Sequence, residues 1–158
     1  MSFNPIYAFI KTTTGILTRK IKFQKDDIGK TIQMNDGYRF TILKHAVKAS
    51  ETEDKSKITV LCLRFHLKDA ESEKEVKPSK LPMFFSLGLP GLREKMWMVN
   101  KWNGDFQGIY EWNNEENAHK YVDSFAMKFM TRNAVPGSVK YEIIPGISLH
   151  DHVRHLQL

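Results

Sequence analysis

The chain has 158 residues, of which 41% are hydrophobic and 27% charged, and its net charge is +6 at neutral pH. These values are typical of a single globular domain with a hydrophobic core. The 24 basic and 18 acidic residues are interspersed and form no continuous basic stripe, so we expect no nucleic-acid partner. The single cysteine, Cys62, excludes an internal disulfide, and its apolar neighbours predict a buried, unreactive thiol. No apolar run reaches the ~18 residues of a transmembrane helix, and no signal peptide is recognisable, so we expect a cytoplasmic protein.

Residues 1–50 predict a helix followed by a small antiparallel meander. Asn4-Pro5 is a typical helix start, and the apolar stretch after it predicts a helix over about residues 5–14. An interfacial helix on a membrane surface is the alternative, but the stretch is short and favours packing on the domain. Alternating apolar residues predict a strand at 17–23, and the Asn-Asp-Gly triplet at 35–37 indicates a hairpin. We therefore assign residues 1–50 to an N-terminal extension.

The second part of the chain, residues 58–147, predicts a ferredoxin-like α+β domain. A polar linker at 50–57 precedes it. The predicted order is a strand, a short helix, two strands, a helix and a last strand, which is the βαββαβ unit of an antiparallel ferredoxin-like sheet. The strands fall at residues 58–67, 94–102, 105–112 and 139–144, the short helix or irregular turn at 81–89, a charged loop at 69–80 and a C-terminal tail at 148–158.

The long helix is the best specified element, and its neighbouring hairpin is also well marked. Asn113 can cap the helix, and Glu116 three residues later completes an approximate capping box. Its apolar residues recur with helical spacing and predict one continuous core-facing stripe: Ala118, Tyr121, Val122, Phe125, Ala126 and Phe129. Asn103-Gly104, before the helix, predicts a tight two-residue turn between two strands.

The candidate site residues lie on the predicted sheet. If both helices cover one face, something must cover the other, and two sheets packed face to face in a homodimer would do so and enclose a cavity. The polar and aromatic candidates to line it are Arg64, His66, Asn100, Tyr110, Trp112 and Tyr141. His66 can serve as a general base, and Asn100 or Tyr110 can polarise a carbonyl or a phenol. The alternative is that His66 only ends a strand and that the rings are packing residues.

The C-terminal histidines His150, His152 and His155 are a weaker signal. On a helix, His152 and His155 would share a face, as metal ligands need. No cysteine or carboxylate cluster completes such a site, so we predict no metal.

Residues 58–145 resemble the YdhR-type monooxygenases of the dimeric α+β barrel superfamily. The resemblance rests on the Pro90-Gly91 turn, on Gly108-Ile109-Tyr110 in the third strand, and on the helix start at residues 113–121. It implies a homodimer whose sheets enclose a hydrophobic cavity. Trp112 stands where the haem-degrading members keep a tryptophan, but His119 comes too early in the helix to match their histidine. This departure from the pattern of the haem-degrading members argues against haem degradation.

Two hypotheses follow. The first is a dimeric α+β barrel that binds a small apolar or aromatic molecule and acts as a cofactor-independent monooxygenase, with His66 as the base and no cofactor. The second is a non-catalytic ligand-binding or assembly module that uses the same cavity, or none.

Overall fold

The computed structural model describes residues 20–48, 54–68 and 87–156, together with Lys11. The predicted helix at 5–14, apart from Lys11, and the predicted loop at 69–80 lie outside the described residues, as does most of the predicted helix at 81–89. The strands are β1 (Ile21–Gln24), β2 (Thr31–Gln33), β3 (Arg39–Lys48), β4 (Thr59–Phe65), β5 (Leu92–Val99), β6 (Phe106–Trp112) and β7 (Lys140–Pro145). The helices are α1 (Glu115–Val122), α2 (Phe125–Met130) and α3 (Leu149–Leu156), with one 3-10 turn at Lys55–Lys57.

The strands form one antiparallel sheet. Their order is β1-β3-β5-β6-β4-β7, and β2 pairs with the start of β3. The four strands β5-β6-β4-β7 have the order of a ferredoxin-like sheet, so the predicted α+β fold is confirmed. Because β3 pairs with β5, the N-terminal meander continues the same sheet.

The hairpin between β5 and β6 differs from the prediction. The ladder ends at the pair Val99 and Phe106, so the connection is a six-residue turn and not a two-residue one. Asn100 organises it, because its side-chain oxygen accepts hydrogen bonds from the backbone N–H groups of Trp102 (2.8 Å) and Asn103 (3.2 Å). Gly104 takes a positive φ of 75°, which glycine tolerates without strain. Asn100 is therefore a turn-forming residue.

The predicted long helix is two helices, α1 and α2. Asn114, one residue after the predicted cap, accepts a hydrogen bond from Asn117 N at 2.8 Å and begins α1. Ser124 breaks the helix, because its hydroxyl donates to the carbonyl of Tyr121 and accepts from the N–H of Met127, which begins α2. The break shifts the helical phase, so Phe125 is 65% exposed and Met127 is buried in its place. The prediction of one continuous stripe was therefore wrong at Phe125, whereas Ala126 is buried as predicted.

The two faces of the sheet have separate cores. On the first, which we call the α1 face, the sheet packs against α1 and α2 through Leu61, Leu63, Phe65, Trp97, Phe106, Tyr110, Trp112, Tyr121 and Met127. On the second, the α3 face, the core contains Ile32, Phe40, Ile42, Val60, Met96, Met98, Ile109, Leu149 and Leu156. The α3 face is thus covered in part by the chain's own C-terminal helix and meander, where the sequence led us to expect a second subunit. No helix among the described residues is long and apolar enough to cross a membrane.

Candidate functional site

A cleft of about 540 Å³ opens on the α3 face, where β4 ends, β7 begins and the β2–β3 hairpin turns. Alternation along β4 points Cys62, Arg64 and then His66 toward this face, while Leu61 and Leu63 point into the opposite core. The polar side chains that line the cleft are Asp36, Tyr38, Arg64, His66, Asp105, Gln107, Ser138, Lys140 and Glu142.

His66 and Asp105 form a close pair in the cleft. The distance between His66 Nδ1 and Asp105 Oδ1 is 2.6 Å. The pairing of Phe65 with Phe106 brings these residues together, since each lies one position beyond the end of its strand. The backbone N–H of His66 also donates to Ser138 Oγ at 3.1 Å. A carboxylate on Nδ1 holds that nitrogen protonated, so Nε2 keeps the lone pair that can accept a proton from a ligand.

Arg64, two residues before His66, contacts four other side chains. Its Nε donates to Gln107 Oε1 at 2.9 Å, and its Nη1 forms a short ion pair with Asp36. The guanidinium also stacks on two rings, with its carbon 4.7 Å from the Phe40 centroid and 5.5 Å from that of Tyr38. Partial burial acts to raise the pKa of Asp36, but hydrogen bonds from Arg64 and from the N–H of Tyr38 outweigh it and lower that pKa. Asp36 is therefore a carboxylate and the natural counter-ion of Arg64.

The inner end of the cleft contains an unreactive thiol, that of Cys62. Burial, with the nearby charge of Glu142, raises the pKa of the Cys62 thiol to about 12. The Cys62 Sγ lies 3.4 Å from Nε2 of His152, which α3 turns inward. Because the thiolate is the nucleophilic form, Cys62 is not suited to catalysis at neutral pH.

On the α1 face a buried aromatic cluster surrounds one lysine. Lys95 Nζ lies 4.4 Å from the ring centroid of Tyr110 and 4.6 Å from that of Trp97. Tyr121 contacts the rings of Tyr110 and Trp112 at centroid distances of 5.4 and 5.2 Å. Burial lowers the pKa of Lys95 and raises that of Tyr110, both by a wide margin, and raises that of Tyr121 to about 12. This cluster is packed core, and its hydroxyl groups stay protonated.

The structure divides the predicted site residues between these places. Arg64 and His66 meet in the cleft. Tyr141 borders it, but its pairing with Leu63 places its half-exposed side chain on the α1 side of β7. Tyr110 and Trp112 lie in the core of the α1 face. Asn100 lies in the hairpin turn.

Sequence reasoning missed Asp105, Gln107 and Lys140. One signal was available for Asp105, because a ferredoxin-like order places β4 beside β6 and puts the residue that precedes β6 near the residue that follows β4. The register between β4 and β6 decides which acid lies beside His66. The sequence of either strand alone does not determine that register.

The C-terminal histidines do not converge. Helix α3 buries His152, whereas His150 and His155 are exposed. Burial lowers the pKa of His152. In the described part of the chain, no group of three or more His, Cys, Asp or Glu side chains is placed to hold a metal ion.

Comparison with known proteins gives structural likeness only. No family model and no curated protein matches the chain. An uncharacterised ferredoxin-fold protein from Listeria monocytogenes, related to antibiotic biosynthesis monooxygenases, is 15% identical with a TM-score of 0.48, over 87% of this chain and 88% of its own. A heme-degrading enzyme from the same organism is 17% identical with a TM-score of 0.48, over 80% and 97%. A monooxygenase-like protein from Listeria innocua is 20% identical with a TM-score of 0.44, over 73% and 69%. Likeness at this level transfers no activity or ligand to the chain.

Proposed function

We propose that the protein binds a small aromatic molecule with an ionisable hydroxyl group in the cleft, and that His66 removes the proton of that hydroxyl. The observation that carries the proposal is the 2.6 Å contact between His66 Nδ1 and Asp105 Oδ1 inside a cleft of about 540 Å³. A cleft of this size suits a small ligand, and a histidine oriented by a carboxylate is the usual arrangement of a general base.

The residues around His66 support this role. Asp105 stabilises the imidazolium that forms when Nε2 takes the proton. The guanidinium of Arg64, two residues earlier on the same face of β4, supplies positive charge near the anion that results. The ring of Tyr38 lines the cleft and offers a surface against which an aromatic ligand can pack.

The reaction we propose is a cofactor-independent monooxygenation, which is what the resemblance to the dimeric α+β barrel superfamily implies. The ionised ring system is electron-rich enough to react with molecular oxygen directly. A CH₂ group of the substrate and O₂ yield a carbonyl group and water, so the substrate loses four electrons and no other reductant is consumed. The second candidate is a ligand-binding module without turnover, which the half-exposed position of His66 also accommodates.

Oxygen uptake with a panel of hydroxylated aromatic compounds that carry a CH₂ group next to the ring tests the proposal. We expect His66→Gln to lower turnover by about 10²–10⁴-fold, the usual contribution of a general base. Asp105→Asn should also lower it, because the carboxylate that holds Nδ1 protonated and stabilises the imidazolium is lost. His150→Gln, an exposed histidine on α3, is the matched control and should be unchanged. Binding without oxygen uptake for every compound would select the non-catalytic module, and no binding at all would refute the site.

A further inference from the structure

The outer edge of β7 is an unpaired strand edge. Within the described residues, β7 pairs with β4 alone and ends the sheet. Gly146, directly after the strand, donates its backbone N–H to the carbonyl of Ile58 at 2.8 Å. Because successive residues of an antiparallel strand point their backbone groups alternately to either side, those of Tyr141 and Ile143 point away from β4. The edge therefore presents the N–H and C=O groups of these two residues to a further strand.

The exposed side chains of β7 differ between its two faces. Lys140 and Glu142 project on the α3 face, where both line the cleft. Both are exposed, and neither forms a salt bridge within the residues that the structure describes. On the α1 face, Tyr141 is 55% exposed, and Val139 just before the strand is 37% exposed. The edge thus has one face with a cation and an anion and one face with apolar surface.

We propose that this edge pairs with β7 of a second copy of the chain, antiparallel and centred on Tyr141, so that the two sheets join into one. In this register Tyr141 lies opposite its own copy, and Val139 lies opposite the partner's Ile143. Lys140 lies opposite the partner's Glu142, and the two-fold symmetry repeats this pair with the chains exchanged. Opposite charges and aromatic rings that face each other across two strands stabilise the pairing.

Other registers of the same two strands are less favourable. Centring the pair on Lys140 or on Glu142 would place two like charges opposite each other, which destabilises a strand pair. Centring it on Ile143 would place Pro145, which has no N–H to donate, opposite Tyr141. Centring it nearer the start of β7 would leave Glu142 outside the paired segment. The order of residues along β7 therefore favours the register centred on Tyr141.

The pairing also extends the cleft to both chains. The two-fold axis of an antiparallel pair of identical strands is perpendicular to the sheet, so the α3 faces of both chains lie on the same side. Lys140, which lines the cleft of one chain, then lies beside the carboxylate of the partner's Glu142. Each cleft is thus bordered by a side chain of the other copy. The interface does not depend on the chemistry of His66, so a failure of the proposed function leaves it standing.

Charge reversal, followed by sedimentation equilibrium, tests the pairing. We expect Lys140→Glu and Glu142→Lys each to raise the dissociation constant of the dimer at least about tenfold, because each creates two like-charge pairs across the axis. The variant that carries both substitutions restores opposite charges, so its constant should return close to that of the wild type. Lys101→Glu, in the exposed β5–β6 turn, is the matched control and should change nothing. A double variant as weak as the single ones, or single variants as strong as the wild type, would overturn the proposal.

Disulfide formation between two copies tests the register. The Cα atoms of a hydrogen-bonded antiparallel pair lie about 5.5 Å apart, a distance that a disulfide spans. In a Cys62→Ala background, which removes the native thiol, Tyr141→Cys should therefore cross-link two chains on air oxidation. Ile143→Cys is the matched control, because Ile143 and its copy are offset by about 13 Å along the strands and should not cross-link. Cross-linking of Ile143→Cys instead would overturn the register, and no cross-link in either variant would overturn the interface.

Discussion

The side chain of Glu111, near the end of β6, accepts a hydrogen bond from the backbone N–H of Leu149, with 2.7 Å between Oε2 and N. The other oxygen of the same carboxylate accepts from Arg93 Nε at 3.0 Å. Glu111 is buried, and Leu149 begins α3. A carboxylate on the first N–H of a helix satisfies a donor that the helix itself cannot, and it complements the helix dipole. This contact fixes where α3 starts on the sheet and therefore which part of the α3 face stays open as the cleft.

Replacement of Glu111 by alanine should loosen α3. We expect a loss of about 1–3 kcal/mol in the free energy of unfolding, because a buried N–H and its charged partner lose their acceptor. Glu111→Gln, which keeps one acceptor oxygen, should cost less. Urea denaturation measures the loss, and faster amide exchange confined to α3 would locate it. Glu115→Ala, an exposed acid on α1, is the control; an equal effect of both alanine variants would contradict the docking role.

His45 should make stability depend on pH. Burial acts to lower the pKa of His45, but its short contact with Glu94 and the charge of Asp27, 3.3 Å from Nδ1, outweigh burial and raise that pKa. A raised pKa in the folded state means that the stabilisation is complete below the unfolded value of about 6.5 and is lost as pH rises through the folded value.

To test this prediction, the midpoint of urea denaturation is measured between about pH 5.5 and 9 for the wild type and for His45→Gln. We expect the wild type to lose stability across the upper part of this range and the variant to lack that loss. His150→Gln, which removes an exposed histidine, should behave like the wild type. Parallel pH profiles of wild type and His45→Gln would show that the contacts of His45 with Glu94 and Asp27 do not contribute to stability.

Lys95 should show the reverse dependence on pH. Because burial lowers its pKa well below the ordinary value, the unfolded chain binds more protons than the folded chain between the two values. The free energy of unfolding therefore rises with pH up to about 10.4 through this group. Lys95→Met, which keeps the length of the chain, should remove that rise, whereas Lys101→Met in the exposed turn should keep it. A rise that survives in Lys95→Met would place its cause elsewhere.

Gly108 should tolerate no side chain. A Cβ at this position would lie 2.6 Å from Cε2 of Tyr110, whose ring is fully buried against Tyr121. We expect Gly108→Ala to cost about 1–3 kcal/mol, as overpacking of a core does. The penalty should shrink when Tyr110 is first replaced by leucine, and a double-mutant cycle measures this coupling. An undiminished penalty would mean that strand geometry, and not the tyrosine ring, excludes alanine.

The homodimer remains a prediction. β7 is paired on one side only, with β4, within the described residues, and Tyr141 on this strand and Val139 just before it are exposed. We expect light scattering at micromolar concentration to give twice the chain mass of 18.4 kDa, and Tyr141→Lys to shift the protein toward the single-chain mass. A wild-type mass near that of one chain would refute the dimer.

Local patterns in the sequence were enough for the order of the strands β4 to β7 and for the faces of the sheet to which their side chains point. Alternation along β6 separates Tyr110 and Trp112 from Gln107 and Glu111, and the structure has the same division. Alternation has a period of two residues, so it can be read from one strand without its neighbours. The hairpin at Gly37 was also predictable from local sequence, because its turn residues favour a tight turn and Gly37 takes a positive φ.

Only the tertiary structure decided which of these residues form a site. His66 and Asp105 are 39 positions apart and meet because β4 and β6 pair in one particular register. His66 and Tyr110 lie on opposite faces of the sheet, although the sequence analysis placed both in one candidate cavity. The strand register and the packing of α3 depend on contacts between segments that are distant in the chain. A short stretch of sequence therefore does not determine them. The sequence by itself determined which side chains each strand places on either face. The assembled sheet determined which of those side chains come into contact.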